Sequence, residues 1–473
     1  MSSAAVNRFW QLSTFWGYKM IASYPKNYTS FCNYCQDILE RNLSLSPNNP
    51  GRHLSNEDVR QVVIILAASR SGSSILFELL RNSEQLLSLS GEHTPYYKIH
   101  GYTFPFKSFR SDSIDLSQPG VFQNPLTLAR DLISDLRVGA EGENFDFEEY
   151  VHSLSVRLSM QWPQLFLSYQ EWIGHIRKAY RFYLLKYKTW NTKYFFIELL
   201  KCLCQEYPTV NPYYYDIPRE FIEENFPQYS WPEGPPNPDF CIEEPPFITL
   251  APYRRPTPRE IRTKPLLMKA SVDAYRLSFV KQLFPKAELK IIHLTRNPAA
   301  GVNGLYDGWL DRGFFSYNVE QVARLSIPGY SDTFDFGKSW WNYDLPPNWE
   351  TVTDHPLEYV CGFQWYSANA AILEAVAKED KKNVLRVRAE DILSSPRNRW
   401  LTIHKITEFL GIELDRSLQA CVETMPVVMA TARPYPKRWV RRKDIIWSVV
   451  TQSPIAELAN SLEYFLEEEE QCL

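Results

Sequence analysis

Residues 62–81 change character twice within one short stretch. Val62-Val63-Ile64-Ile65-Leu66 is a continuous apolar, mostly β-branched run. A run with no polar face reads as a strand buried on both sides, the kind found in parallel sheets. Small and polar residues follow, Ala67-Ala68-Ser69-Arg70-Ser71-Gly72-Ser73-Ser74, and then Ile75-Leu76-Phe77-Glu78-Leu79-Leu80-Arg81 with helical character. Strand, small-residue loop and helix start in succession predict the opening unit of an α/β fold.

The same texture returns later. Leu266-Leu267-Met268 reads as a short strand, followed by a helix across Val272–Leu283 that Phe284-Pro285 ends. Leu289–Leu294 is another strand, closed by Thr295-Arg296-Asn297-Pro298, with a helix beyond it. A Pro-rich loop is expected over 326–356, a helix over Glu358–Lys378 and a strand over Asn383–Val387. Strands separated by helices predict a P-loop-like parallel sheet with right-handed crossovers. Ligands of such sheets sit beyond the carboxyl ends of the strands.

Two regions break the pattern. Residues 1–60 mix aromatics with Asn, Ser and Pro, and Asn48-Asn49-Pro50-Gly51 signals a turn, so an N-terminal helical extension is expected there. From about 95 to 260 the chain is rich in Pro, Tyr and Trp, with helix-like periodicity over Leu126–Leu136, Phe147–Met160 and Ser168–Leu200. We read this as a large, mainly helical insertion in an α/β domain spanning 61–473, covering one mouth of the sheet.

At 473 residues with 44% hydrophobic and 22% charged residues, the chain can bury a substantial core. The net charge of −4 argues against general nucleic-acid binding, which calls for a clearly basic face. Positive potential is concentrated instead in the exposed-looking stretch Arg433 to Lys443, which holds six basic residues. Cys32-x-x-Cys35 has no second pair and no nearby His, so no metal site is expected. The remaining cysteines form no disulfide framework, and no run of about 18 apolar residues or signal-peptide pattern is visible. A cytoplasmic protein is the expectation.

The loop Ser69–Ser74 carries the most chemistry. A tight loop feeding a helix exposes backbone N–H groups, and the helix dipole adds positive potential. Gly72 lets backbone approach an anion, Ser71, Ser73 and Ser74 bring hydroxyls, and Arg70 brings a charged fork. These make a phosphate or sulfate cradle. It is not a Walker A loop: Ser73 stands where the Lys would be, which disfavours ATPase or kinase chemistry.

Arg70-Ser71-Gly72-Ser73-Ser74-x-Leu76 resembles the 5′-phosphosulfate loop of carbohydrate and tyrosylprotein sulfotransferases. Two further stretches are similar to family signatures in the same order. Ile291–Pro298 matches the strand ending in Arg-x-Pro, with Lys269 and Phe284–Lys290 as its lead-in, and Val387-Arg388-Ala389-Glu390-Asp391-Ile392-Leu393 is similar to an R-Y-E-D-L strand end. The resemblance covers about 62–93 and 265–411. It implies a sulfotransferase that takes the sulfonyl group from 3′-phosphoadenosine 5′-phosphosulfate (PAPS), leaves adenosine 3′,5′-bisphosphate (PAP), and needs no metal. It also implies that Arg296 pairs with the 3′-phosphate. The family's 3′-phosphate Ser falls at Gly304, with Asn303 beside it, and Lys437 and Arg438 belong to a late basic loop of the kind that closes the donor pocket.

Sulfonyl transfer needs a base for the acceptor proton, a cation for the bridging oxygen, and in-line geometry. Glu92 is the candidate base: Gly91-Glu92-His93-Thr94 is similar to the Gly-Glu-Glu-Thr of tyrosylprotein sulfotransferases. His93 is the runner-up, and His100, weaker, is expected on surface or loop. The Lys-x-His of cytosolic sulfotransferases is here Lys269-Ala270-Ser271, without the His. Lys269 is expected at the sulfonyl or bridging oxygen, with Arg70 sharing the leaving phosphate. The 14 Trp, 28 Tyr and 27 Phe read first as core and helix packing. The expected acceptor bears a hydroxyl or amine on a small molecule, peptide or glycan, with aromatic or apolar small molecules and peptides foremost, as the aromatic-rich stretch of about 95–260 hints. A homodimer is left open. Two other readings keep the fold: sulfonation that activates a hydroxyl for elimination or cyclisation, and a binding protein without turnover.

Overall fold

In the computed structural model the described residues are 26–106, 110–117, 125–139, 145–311, 313–429 and 437–466. The central sheet has six strands: β1 (Gln61–Leu66), β2 (Leu87–Ser88), β3 (Arg137–Val138), β4 (Leu266–Met268), β5 (Glu288–Thr295) and β8 (Val384–Arg388). Their order is β3-β2-β4-β1-β5-β8. All neighbours run parallel except β2 and β3.

β1 sits in the middle, in register with both partners: Val62 faces Leu266 on one side and Leu289 on the other. Its side chains alternate between two cores, as strand geometry requires. Val63 and Ile65 join Leu76, Leu79 and Leu80 of the helix Ser73–Leu80, together with the helices Pro396–Leu410 and Arg416–Thr424. Val62, Ile64 and Leu66 join a larger cluster that includes the insertion and the helix Lys26–Leu45. The continuous apolar run is thus explained by cover on both faces.

The insertion is mainly helical among the described residues, with the helices Pro125–Ser134, Phe147–Gln161, Tyr169–Lys186, Thr192–Glu206 and Arg219–Asn225. The periodicity over Ser168–Leu200 resolves into two helices, each with its own N-cap, Ser168 and Asn191. The insertion also supplies β3, which lengthens the sheet edge next to β2.

Three local expectations are corrected. The helix expected across Val272–Leu283 is a 3₁₀ turn, Ser271–Tyr275, followed by the α-helix Leu277–Leu283. The Pro-rich region 326–356 contains β7 (Trp340–Trp341), which pairs with β6 (Tyr317–Asn318). Trp340, Trp341 and Trp349 are fully buried, so this segment packs as core rather than running as a plain loop. His100 is not at the surface: its side chain is 3% exposed and its Nε2 lies 2.9 Å from Asp131 Oδ2.

Cys32 and Cys35 are both buried in the helix Lys26–Leu45, and burial pushes the Cys32 thiol up to about 12. Among the described residues no group of three or more His, Cys, Asp or Glu could hold a metal ion, and no helix is long and apolar enough to cross a membrane.

Candidate active site

The carboxyl ends of five parallel strands open onto one cavity of about 1070 Å³. Arg70 follows β1, Glu92 follows β2, Lys269 follows β4, Arg296 follows β5 and Glu390 follows β8, and all five line it. The chain leaves β1 toward β2 and leaves β5 toward β8, on opposite sides. The cavity therefore sits at a switch point of the sheet, where crossovers diverge and leave a crevice.

The cradle is built by conformation. Arg70 and Gly72 both adopt the left-handed region, with φ of 64° and 89°. A Cβ on Gly72 would meet nothing closer than Ala389 at 3.8 Å, so the glycine is required by its φ, not by space. Arg70 carries the strain that Gly72 avoids, and strain of this kind collects at functional loops. The helix Ser73–Leu80 starts without a side-chain cap, leaving its first N–H groups for another acceptor. Ser73, Ser74 and Ile75 line the cavity; Ser71 is buried, its N–H donating to Ala68 O at 3.2 Å.

Two arginines frame the cradle. Arg70 Nη1 donates to Met429 O at 2.8 Å, and its guanidinium lies over the Phe314 ring, 5.1 Å from the centroid. Arg296 Nη1 donates to Arg70 O at 2.6 Å. Burial lowers the Arg296 pKa, with Glu390 opposing that shift. Gly304 lies under both: a Cβ there would come 3.2 Å from Arg70 Cβ and 3.6 Å from Arg296 Nη1.

Lys269 joins the cradle to the candidate base. Its Nζ donates to Ser74 Oγ at 3.1 Å and forms an ion pair with Glu92. Glu92 is 41% exposed at its side chain whereas Lys269 is 6% exposed, so the carboxylate faces the cavity and the ammonium sits behind it. His93 does not line the cavity. It is fully buried, with Nε2 2.8 Å from Asp273 Oδ2. The sequence places His93 next to Glu92, but the fold sends the two side chains to different places.

Near Gly304 the late basic segment folds back. Arg438, Arg441 and Arg442 all pair with Asp307, and Arg442 Nη1 also donates to Asn303 Oδ1 at 2.9 Å. The Arg438 and Arg442 side chains are 15% and 24% exposed, whereas Arg441 is 45% exposed and Lys437 is exposed, so part of the stretch packs inward and part stays open. Arg433, Tyr435 and Pro436 lie outside the described residues. Lys437, Arg438 and Asn303 line the cavity.

Several contributors were not singled out from the sequence. Arg388 lines the cavity over the Tyr464 ring, 4.6 Å from its centroid, and its buried Nε lacks a hydrogen-bond partner among the described residues. Glu390 accepts from Asn297 N at 2.9 Å and from Tyr464 Oη at 3.0 Å. Both lie in the strand end already noted at Val387–Leu393, which was the available signal. Asp344 accepts from the Ser69 and Tyr275 hydroxyls, and burial pushes its carboxyl up to about 6. No sequence pattern announced it.

No family model and no curated protein matches the chain. Among solved structures it is similar to the sulfotransferase domain from the curacin biosynthetic pathway, at 13% identity and a TM-score of 0.35, covering 86% of this chain and 98% of that one. A second is the sulfotransferase domain from the Synechococcus PCC 7002 olefin synthase, at 13% identity, TM-score 0.32 and coverage of 86% and 95%. A third is the sulfotransferase STF1 from Mycobacterium tuberculosis H37Rv, at 11% identity, TM-score 0.28 and coverage of 87% and 81%. Likeness at this level carries no conclusion about activity.

Proposed function

We propose that the protein is a sulfotransferase that moves a sulfonyl group from PAPS to a hydroxyl. The observation that carries this reading is the shared Lys269: one buried ammonium touches both the anion cradle, at Ser74, and an exposed carboxylate, Glu92. A cation within reach of both the leaving-group cradle and a base is what such a transfer calls for.

The residues fit a doubly phosphorylated donor. Arg70, Ser73, Ser74 and the uncapped helix start would hold the 5′-phosphosulfate. Arg296, Asn303, Lys437 and Arg438, with Gly304 as the close-packed floor, would hold the 3′-phosphate by charge-assisted contacts. The donor supplies an electrophilic sulfur. Glu92 takes the acceptor O–H proton as the oxygen attacks that sulfur. As the S–O bond to the 5′-phosphate breaks, its electron pair stays on the bridging oxygen, where Lys269 and Arg70 offset the charge. The products are the sulfated acceptor and PAP, and the proton on Glu92 passes to solvent.

Calorimetric titration with PAP beside ATP, on the wild type and Arg70→Ala, tests this. Expected is PAP binding well above ATP, lost in the variant. Equal affinity for the two nucleotides, or no binding of either, overturns it.

A further inference from the structure

The cavity is larger than its cradle, and two of its remaining walls concern the acceptor; Met425–Met429 and the segment near Tyr464 supply others. The insertion contributes Ile242–Pro246 and Ile248, and the segment after the helix Pro298–Trp309 contributes Phe314 and Tyr343. The first wall meets the chain next to Glu92, and the second meets Arg70, whose guanidinium lies over Phe314. A Cβ added to Gly91 would lie 2.9 Å from Ile248 Cδ1, and one on Gly313 3.4 Å from Pro246 Cγ. Phe314 and Tyr343 stack obliquely, with centroids 5.0 Å apart.

The insertion also brings three charged side chains to the cavity, Arg157, Glu243 and Glu244, and each is engaged internally. Glu243 accepts from Arg157 at 3.1 Å, from Gln161 at 3.1 Å and from Ile248 N at 3.3 Å. Glu244 accepts from Lys98 Nζ at 3.0 Å and Ser316 Oγ at 2.7 Å, one partner on each oxygen. Arg157 is 3% exposed and Lys98 fully buried. Arg157, which also lies 3.6 Å from Asp135, and Lys98 thus hold the two carboxylates in the wall, with Glu244 still 28% exposed.

Resting on the sulfotransferase reading, we infer that the chamber between Ile248, Pro246, Phe314 and Tyr343 is the acceptor site, and that its acceptor is an uncharged, apolar or aromatic alcohol. A charged acceptor would compete with partners that are already engaged: Arg157 and Glu243 pair with each other in the wall, Glu244 holds Lys98 and Ser316, and Arg70 holds Met429 O. An apolar ring gains by burial against Ile248, Pro246 and the two aromatic rings. The acceptor's orientation then comes from its one polar group, the hydroxyl, at Glu92.

The test uses the full chain saturated with PAP and three probes: 2-naphthol, an acidic tyrosine peptide, and a sulfated oligosaccharide. Expected is 2-naphthol binding at least a hundredfold tighter than either charged probe. Ile248→Ala weakens 2-naphthol five- to tenfold, while PAP affinity and the melting temperature stay within error. Tighter binding of the peptide or the oligosaccharide overturns the inference, as does indifference of 2-naphthol to Ile248→Ala. PAP failing to bind overturns the donor reading instead. The same three probes, titrated against the nucleotide-free protein, then decide the acceptor class by themselves, because the chamber walls are all protein.

Discussion

Gly304 packs tightly against Arg70: a Cβ at residue 304 would stand 3.2 Å from Arg70 Cβ, closer than an ordinary contact, and 3.6 Å from Arg70 O, at ordinary contact distance. The glycine at the position where the sulfotransferase pattern has Ser is therefore matched to its surroundings. Arg296 reaches Arg70 O across this gap. A serine there is expected to crowd the Arg70 side chain, whose Cβ must give by a few tenths of an ångström, rather than to add a phosphate ligand. Gly304→Ser is expected to weaken PAP binding about tenfold and to lower stability by roughly 1–2 kcal/mol, the ordinary cost of overpacking. Calorimetry and thermal unfolding check both, and tighter PAP binding would reverse the argument.

Glu92 and His93 are adjacent in the chain but differ in what they can reach. Glu92→Gln keeps the shape and removes the base, so kcat should fall by about 10²–10⁴ with PAP affinity retained. His93→Asn removes a buried hydrogen bond to Asp273 and should cost about 1–3 kcal/mol of stability while kcat stays close to wild type. Comparing kcat and the unfolding midpoint of the two variants separates a base from a buried structural residue.

The parallel core was legible because burial on both faces forces continuous apolar runs, and Val62–Leu66, Leu266–Met268 and Leu289–Leu294 announce themselves. β3 was not, since Arg137–Val138 is a strand only by virtue of its pairing with β2. The same divide runs through the site. Arg70, Glu92, Lys269 and Arg296 stand where strands end, so local pattern places them around one crevice. The clamp of Arg438, Arg441 and Arg442 on Asp307 joins residues more than 130 positions apart, and no local pattern encodes such a pair. The sequence left a solvated basic loop and a pocket-closing one both open; tertiary pairing turns Arg438 and Arg442 inward, while Lys437 and Arg441 stay exposed.

Asp344 gives the Ser69 end of the cradle a pH signature. Burial raises its carboxyl to about 6, above the unfolded value, despite donors from Ser69 and Tyr275. Below pH 4 both states are protonated and the group is neutral to stability. As pH rises from 4 to 6 the unfolded chain releases this proton first, so stability falls, and above 6 the full penalty, about 3 kcal/mol, is present. Asp344→Asn removes the ionisation. Its unfolding midpoint relative to wild type should therefore shift in its favour between pH 4 and pH 7. A constant difference across that range would mean that Asp344 does not titrate there.

Asp307 holds three guanidiniums beside the proposed 3′-phosphate position, and a carboxylate there competes with a phosphate for Arg438. Burial pushes its pKa up, but Arg438 and then Arg442 outweigh burial and hold the carboxyl below its ordinary value. The stability it contributes is present above the unfolded pKa and is lost as pH falls through the lower folded one. At pH 7 Asp307→Asn removes one negative charge within a few ångströms of Arg438. PAP should bind more tightly by about 1 kcal/mol, roughly fivefold, with a steeper salt dependence. Calorimetry at two ionic strengths measures this, alongside a melting temperature expected to fall because three arginines lose a shared partner. Binding weakened more than tenfold would assign Asp307 the opposite role, orienting Arg438 and Arg442 for the phosphate rather than competing with it.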